Sequence, residues 1–273
     1  MNDKEIRERI ERGRNFIRSF NDEAEDYYTD QQLKKPQPPL TKAAMSDQII
    51  ALPHDLADLT IENDFLKIIN GRCSHRVYTM EKMSLTELSY LLWCSQGVKE
   101  IRGKSYATLR TVPCGGARHE FECYMAIQNV EGLADGLYHY LPMKHEIEML
   151  GTRDDLKDFI SASLCGQSWA AKANIVFYYS AVFYRAEWRY GIHAHVPMLM
   201  DAGHITENVY LAAESIHRGG CAIAAVDGRI ADAAFGPDGE EESIFYAMPV
   251  GTIRKEDQKA EQDFYAFVKE QGL

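Results

Sequence analysis

Residues 71–78 read Gly-Arg-Cys-Ser-His-Arg-Val-Tyr, which sets Arg72, Ser74 and Arg76 at alternate positions. On an extended backbone alternate side chains share one face. Two guanidinium forks and a hydroxyl on one face suit a phosphate ester, because the forks match phosphate oxygens. A half-solvated strand with two snorkelling arginines has the same pattern. A second stretch is Pro113-Cys114-Gly115-Gly116. Proline and paired glycines mark a tight loop with exposed backbone, where a planar ligand can lie close to the main chain or where the chain simply turns into a strand. Cys114 there is either a reactive thiol or, more simply, a small residue filling the loop. His193-x-His195 could hold a metal on one strand face, but no cysteine or carboxylate stands beside it at ligand spacing, so no metal site is expected. The chain contains no Gly-x-Gly-x-x-Gly, no P-loop and no Gly-x-Ser-x-Gly, which leaves Rossmann, Walker-type and serine-hydrolase chemistry without support.

These stretches need elements to hold them. Residues 5–20 have apolar positions at helical spacing, and 27–53 break that pattern around Lys34-Lys35-Pro36-Gln37-Pro38-Pro39, so residues 1–58 read as a helix and an extended arm or lid. A helix over 62–70 ends at Gly71, delivering the chain into the arginine stretch. Ser84 and Glu87 form a capping box that opens a helix running to Gln96-Gly97. Strands are predicted at 122–129, 136–141, 145–150, 174–183, 220–226 and 243–250. Helices are predicted at 154–163, 196–217 and 229–235. The polar-aromatic segment 184–191 lines a site or covers the core edge. Phe264, Tyr265 and Phe267 in the tail, 256–273, must bury, on the core or on a partner subunit.

Composition narrows the class. The 273 residues are 45% hydrophobic and 26% charged, enough for a sizeable core. A net charge of −11 argues against nucleic acid and anionic membrane surfaces as partners. There is no apolar run of membrane-spanning length and no apolar region behind the N-terminal Met-Asn-Asp-Lys-Glu. Six scattered cysteines without a Cys-x-x-Cys fit a reduced, cytoplasmic protein.

Four stretches in order, across about residues 60–255, together resemble the nitroreductase-fold flavoenzymes, in particular the branch containing the azoline (thiazoline and oxazoline) oxidases. They are Arg72-Cys-Ser-His-Arg76, the helix from Ser84 to Gly97, Arg110-Thr-Val-Pro-Cys-Gly-Gly-Ala117 with Gly136-Leu-Tyr-His-Tyr140, and Asp201-Ala-Gly-His204 running through 219–225 to Met248-Pro-Val-Gly251. The resemblance implies an α+β fold, a mixed sheet flanked by helices over 59–255, and a homodimer with FMN at the subunit interface. It places the FMN phosphate on Arg72 and Ser74 with help from Arg254, and Arg76 near the ribityl chain and pyrimidine edge. It further implies that Pro113, Cys114 and Gly115 touch the flavin from the other subunit and that a backbone N–H of Ala224 or Ala225 faces N5. A cation by the pyrimidine edge stabilises charge that develops on reduction. Activity would be ping-pong: NAD(P)H as reductant, then a small electron-poor nitro or quinone-type acceptor. Alternatives are dehydrogenation of a peptide or heterocycle, azoline-oxidase-like, and non-catalytic flavin binding. Trp188, Arg189 and Tyr190 are the candidates for the substrate face, Arg189 and Tyr190 being the catalytic pair. The azoline oxidases resemble one another in a Lys-Tyr pair where this chain has Arg189-Tyr190, and arginine, fixed in its charge, is a poor general base.

Overall fold

The centre of the protein is set by two strands whose side chains are buried on both faces. β4 (Phe121–Ile127) and β7 (Ile175–Val182) are almost wholly buried. Alternate residues go to opposite sides. Cys123, Met125, Phe177 and Tyr179 enter one apolar cluster, and Tyr124, Ala126, Val176 and Tyr178 the other. The computed structural model describes residues 2–18, 27–254, 256–257 and 259–272.

In chain order the elements are α1 (Asp3–Arg18), β1 (Ile49–Ala51), α2 (Phe65–Gly71), α3 (Leu85–Gln96), β2 (Val98–Arg102), β3 (Ala107–Arg110), β4, β5 (Gly136–Leu141), β6 (Glu146–Gly151), α4 (Leu156–Ser163), β7, α5 (Phe183–Tyr190), α6 (His195–Ser215), β8 (Arg218–Gly220), α7 (Gly228–Phe235), β9 (Glu242–Thr252) and α8 (Lys259–Glu270). Seven strands form one sheet in the order β1-β6-β5-β4-β7-β9-β8. Helices α3 and α6 close one face through Leu88, Leu91, Leu92, Ile205 and Val209. Helices α4 and α7 close the other through Phe159, Ile160 and Phe235. The fold is α+β, as expected. Every ladder in the sheet is antiparallel, and among the described residues parallel pairing occurs only at the isolated bridges Ser74–Gly220 and Met83–Val130. Among the described residues no helix is long and apolar enough to cross a membrane.

The capping box is present: Glu87 N–H donates to Ser84 Oγ at 3.1 Å and Ser84 N–H to Glu87 Oε2 at 2.7 Å. Two expectations change, and the first is the mixed sheet, which is antiparallel in every ladder. Segment 220–226 is not a strand, because after Gly220 it meets β9 only through the Cys221 N–H to Pro249 O bond and the Ile223–Ala247 bridge, among the described residues, and then leaves the sheet. Segment 184–191 is mostly helix α5, whose Arg185, Ala186 and Trp188 are buried. The β2–β3 hairpin was not expected, since its first strand, Val-Lys-Glu-Ile-Arg, is largely exposed and lacks apolar alternation. Residues 31–39 lie against α5: Gln31 N–H donates to Trp188 O, Trp188 Nε1–H to Lys35 O and Arg185 Nε–H to Pro39 O. In the tail, Phe267 is 54% exposed within the chain, while the Phe264 and Tyr265 side chains lie outside the described residues.

Candidate active site

The arginine stretch runs beside the end of the sheet. Ser74 bridges Gly220, His75 N–H donates to Gly220 O at 2.9 Å and Thr79 N–H to Thr252 O at 2.9 Å. This close approach requires glycine at 219, where a Cβ would come within 2.6 Å of His75 Cβ. Arg72 sits at the C-terminal cap of α2, its N–H bonded to Ile68 O. Its guanidinium carbon lies 5.1 Å from the centre of the Tyr210 ring. Ser74 Oγ is 3.1 Å from the Tyr210 hydroxyl, which also accepts the Ala222 N–H at 2.7 Å. Arg72, Ser74 and the start of the 222–226 loop therefore meet on one phenol of α6. Among the described residues Arg72 forms no ion pair, which leaves a partly exposed fixed charge beside a hydroxyl. That donor set fits a phosphate ester.

Arg76 lies elsewhere, its guanidinium 5.9 Å from the Trp169 ring. Arg254 Nε donates to Glu81 Oε1 at 3.0 Å, so it already has a carboxylate partner. Ala224 and Ala225 are exposed in the loop that leaves the sheet after Ile223.

The second group forms around the glycine loop. Pro113 is exposed, and Gly115–Ala117 make one short 3-10 turn. Gly116, Ala117 and His119 all have positive φ (56°, 53° and 48°). Non-glycine residues in that region carry strain of about 1–3 kcal/mol each and persist only where surroundings enforce them. The enforcing contacts are visible. Gly115 N–H donates to Asp201 Oδ2 at 2.9 Å, Arg118 Nε–H to Gly116 O at 3.0 Å, and Arg118 lies over the Tyr106 and Trp188 rings. The Arg189-Tyr190 pair closes on the same loop. A Cβ at Gly116 would lie 2.4 Å from Arg189 Nε and 2.7 Å from the Tyr190 hydroxyl. Arg189 is steadied by Tyr106 Oη at 3.1 Å and Gln31 Oε1 at 3.3 Å.

Burial, then the nearby Glu120 and Asp201 charges, pushes the Cys114 thiol far up, so it is not an activated nucleophile. Burial and the neighbouring Asp201 also raise the Glu120 carboxyl to about 7. His193 and His195 sit in a 3-10 turn and at the start of α6, not on a strand, and His195 Nε2 is 2.9 Å from Glu187 Oε1.

Helix α6 joins the two groups, with Asp201 under the glycine loop and Tyr210 under the arginine stretch. Nine helical residues separate them by about 14 Å. Tyr210 is not marked by any local spacing; its one sequence signal is an aromatic on the helix that carries Asp201.

An antiparallel sheet lies between two helical layers, and an arginine-serine corner and a strained glycine loop both rest on one helix of it. The chain belongs to the nitroreductase family, whose model matches residues 69–252. It is 32% identical over 176 residues to a Methanocaldococcus jannaschii protein named as a nitroreductase, covering 64% of this chain and 83% of that one. It is 27% identical over 111 residues to the microcin B17-processing protein McbC of Escherichia coli, covering 39% of this chain and 41% of that one. A Ralstonia eutropha structure named as a nitroreductase superposes with a TM-score of 0.62 at 23% identity, over 81% of this chain and 95% of that one. The resemblance to the branch containing the azoline oxidases thus holds.

Proposed function

We propose that this protein is a homodimeric FMN-dependent oxidoreductase that takes electrons from NAD(P)H and reduces a small electron-poor molecule of nitro or quinone type. The observation that carries the reading is the Tyr210 corner. One hydroxyl holds both Ser74 and the Ala222 N–H, so a phosphate-binding segment and the segment leading to Ala224 and Ala225 form one unit. Arg72 and Ser74 bind the phosphate end of FMN, and Arg76 stands further along the cofactor. Arg254 contributes only by sharing its charge with Glu81. Ala224 or Ala225 presents a backbone N–H to the ring, and Pro113, Cys114 and Gly115 of a second copy cover it. FMN supplies the hydride chemistry when bound. The chain's own part is to orient it, to offset developing charge, and to seat the substrate near Arg189 and Tyr190.

Exposed Phe65, Leu66, Leu199 and Met200 on α2 and α6 support a homodimer, since these helices flank both groups. A second reading, dehydrogenation of a peptide heterocycle, is favoured by the similarity to the microcin-processing protein. Purified protein is expected to be yellow, to release FMN, and to oxidise NADH or NADPH with a quinone or nitroaromatic acceptor. Inertness to both nucleotides, with bleaching by an azoline peptide, selects the second reading. Colourless protein that fails to bind added FMN overturns both.

A further inference from the structure

Beneath the glycine loop a thiol and two carboxyl side chains converge, two from the 113–120 segment and one from α6. Cys114, Glu120 and Asp201 each place one ligand-capable atom within 4.8 Å of the others. Cys114 Sγ turns inward to 3.3 Å from Glu120 Oε2. Glu120 is 1% exposed and Asp201 5%. Among the described residues Glu120 Oε1 is buried without a hydrogen-bond partner and no ion pair reaches this carboxyl. A buried carboxyl oxygen beside a second carboxylate needs a proton or a cation to offset it, and a cation satisfies the thiol and both carboxyls at once.

The donors are already oriented. Cys114 Sγ accepts the His119 N–H at 3.0 Å, Asp201 Oδ2 accepts the Gly115 N–H at 2.9 Å, and Asp201 Oδ1 lies 3.3 Å from His204 Nδ1. Hydrogen bonds of this outer kind fix ligands around a metal. A cavity of about 10 Å³ adjoins Cys114 and Asp201, which leaves room for an ion or one water but no organic ligand.

We propose that Cys114, Glu120 and Asp201 bind a divalent transition-metal ion of the zinc class, with a water from the adjoining cavity completing four-coordination. One sulfur and two carboxylate donors select zinc-like ions over magnesium or calcium. On binding, the S–H bond breaks, its proton leaves to solvent, and a metal–sulfur bond forms without electron transfer. The ion ties the 113–120 loop to α6, whether or not flavin is bound.

The test uses the full-length protein, stripped with a chelator and titrated with Zn²⁺ or Co²⁺. Wild type is expected to retain about one ion per chain after gel filtration. Its cobalt difference spectrum should carry a thiolate charge-transfer band. Cys114→Ser should abolish that band, and Glu120→Gln should weaken binding beyond the roughly 10–100-fold that outer contacts command. Glu131→Gln, an exposed acid elsewhere, should bind as wild type does. Less than about a tenth of an equivalent of either metal on the wild type overturns the proposal without reference to any variant. So does a charge-transfer band that survives Cys114→Ser.

Discussion

Arg72 makes the sharpest residue-scale case, because its fixed charge has a stacking partner and no carboxylate among the described residues. Arg72→Ala is expected to strip most of the flavin, measured as FMN released per chain. Arg72→Lys should keep part of it, since an ammonium supplies charge without the two-pronged fork. Tyr210→Phe removes the hydroxyl that joins Ser74 to the Ala222 N–H. A loss of about 1 kcal/mol, near fivefold in FMN affinity, is expected in a fluorescence titration; unchanged affinity would detach Tyr210 from the site. Gly116→Ala should impair folding or turnover, as a Cβ there meets Arg189 and Tyr190 at a φ of 56°. The Arg-x-Ser spacing was readable because it is local. Tyr210 was not, because its partner Ser74 lies 136 residues away, and neither was the approach of Asp201 to Gly115, 86 residues distant. Side-chain types announce chemistry within one segment, but convergence between segments is decided by packing.

At the scale of elements, the Ser84 cap is a local signal with a global consequence. Glu87 closes the capping box and also pairs with Arg218 of β8 at 2.6 Å, so the start of α3 is fastened to the strand that leads into the 221–226 loop. Ser84→Ala should cost about 1 kcal/mol in denaturant unfolding. A loss near zero would mean that the Arg218 contact alone holds that end. Helices with caps or long periodic faces, such as α3 and α6, were legible from their sequence. The doubly buried β7 also was, because Ile175 to Tyr179 are all β-branched or aromatic. The 221–226 segment was misread because Cys-Ala-Ile-Ala-Ala-Val is apolar enough for a strand. It turns away after one bridge, and Ala224 and Ala225 are left exposed. The β2–β3 hairpin was illegible for the opposite reason: its pairing rests on backbone hydrogen bonds, while its first strand buries little.

For the whole molecule, the arm and the sheet are joined through a buried charge network that no single segment discloses. Glu148 Oε2 accepts the N–H groups of Met45 and Ser46, Glu122 Oε1 accepts that of Lys42, and Lys42 also pairs with Glu242. Arg185 of α5 pairs with Glu122. Between the carboxylates stands His139, fully buried, 2.7 Å from Glu148 Oε1 and 3.2 Å from Glu122 Oε2. Burial pulls the imidazolium down, but its hydrogen bonds and the two adjacent charges outweigh that and hold it above its ordinary value. Burial likewise raises both carboxyls; Arg185 and His139 hold Glu122 below the carboxylate range, and His139 and the arm's N–H groups hold Glu148 below it. The signs then follow from linkage. The histidine's contribution is complete below about pH 6.5 and is lost as pH rises through its raised folded value, whereas the carboxylates contribute above about pH 4.5 and fail as pH falls. Melting temperature should therefore peak between those limits and decline above neutrality, read by circular dichroism from about pH 4 to about pH 9. His139→Gln leaves two buried carboxylates facing each other. It should cost about 3–5 kcal/mol and flatten the alkaline decline. If the variant melted with the same alkaline slope as wild type, the alkaline dependence would have to arise in groups other than this histidine.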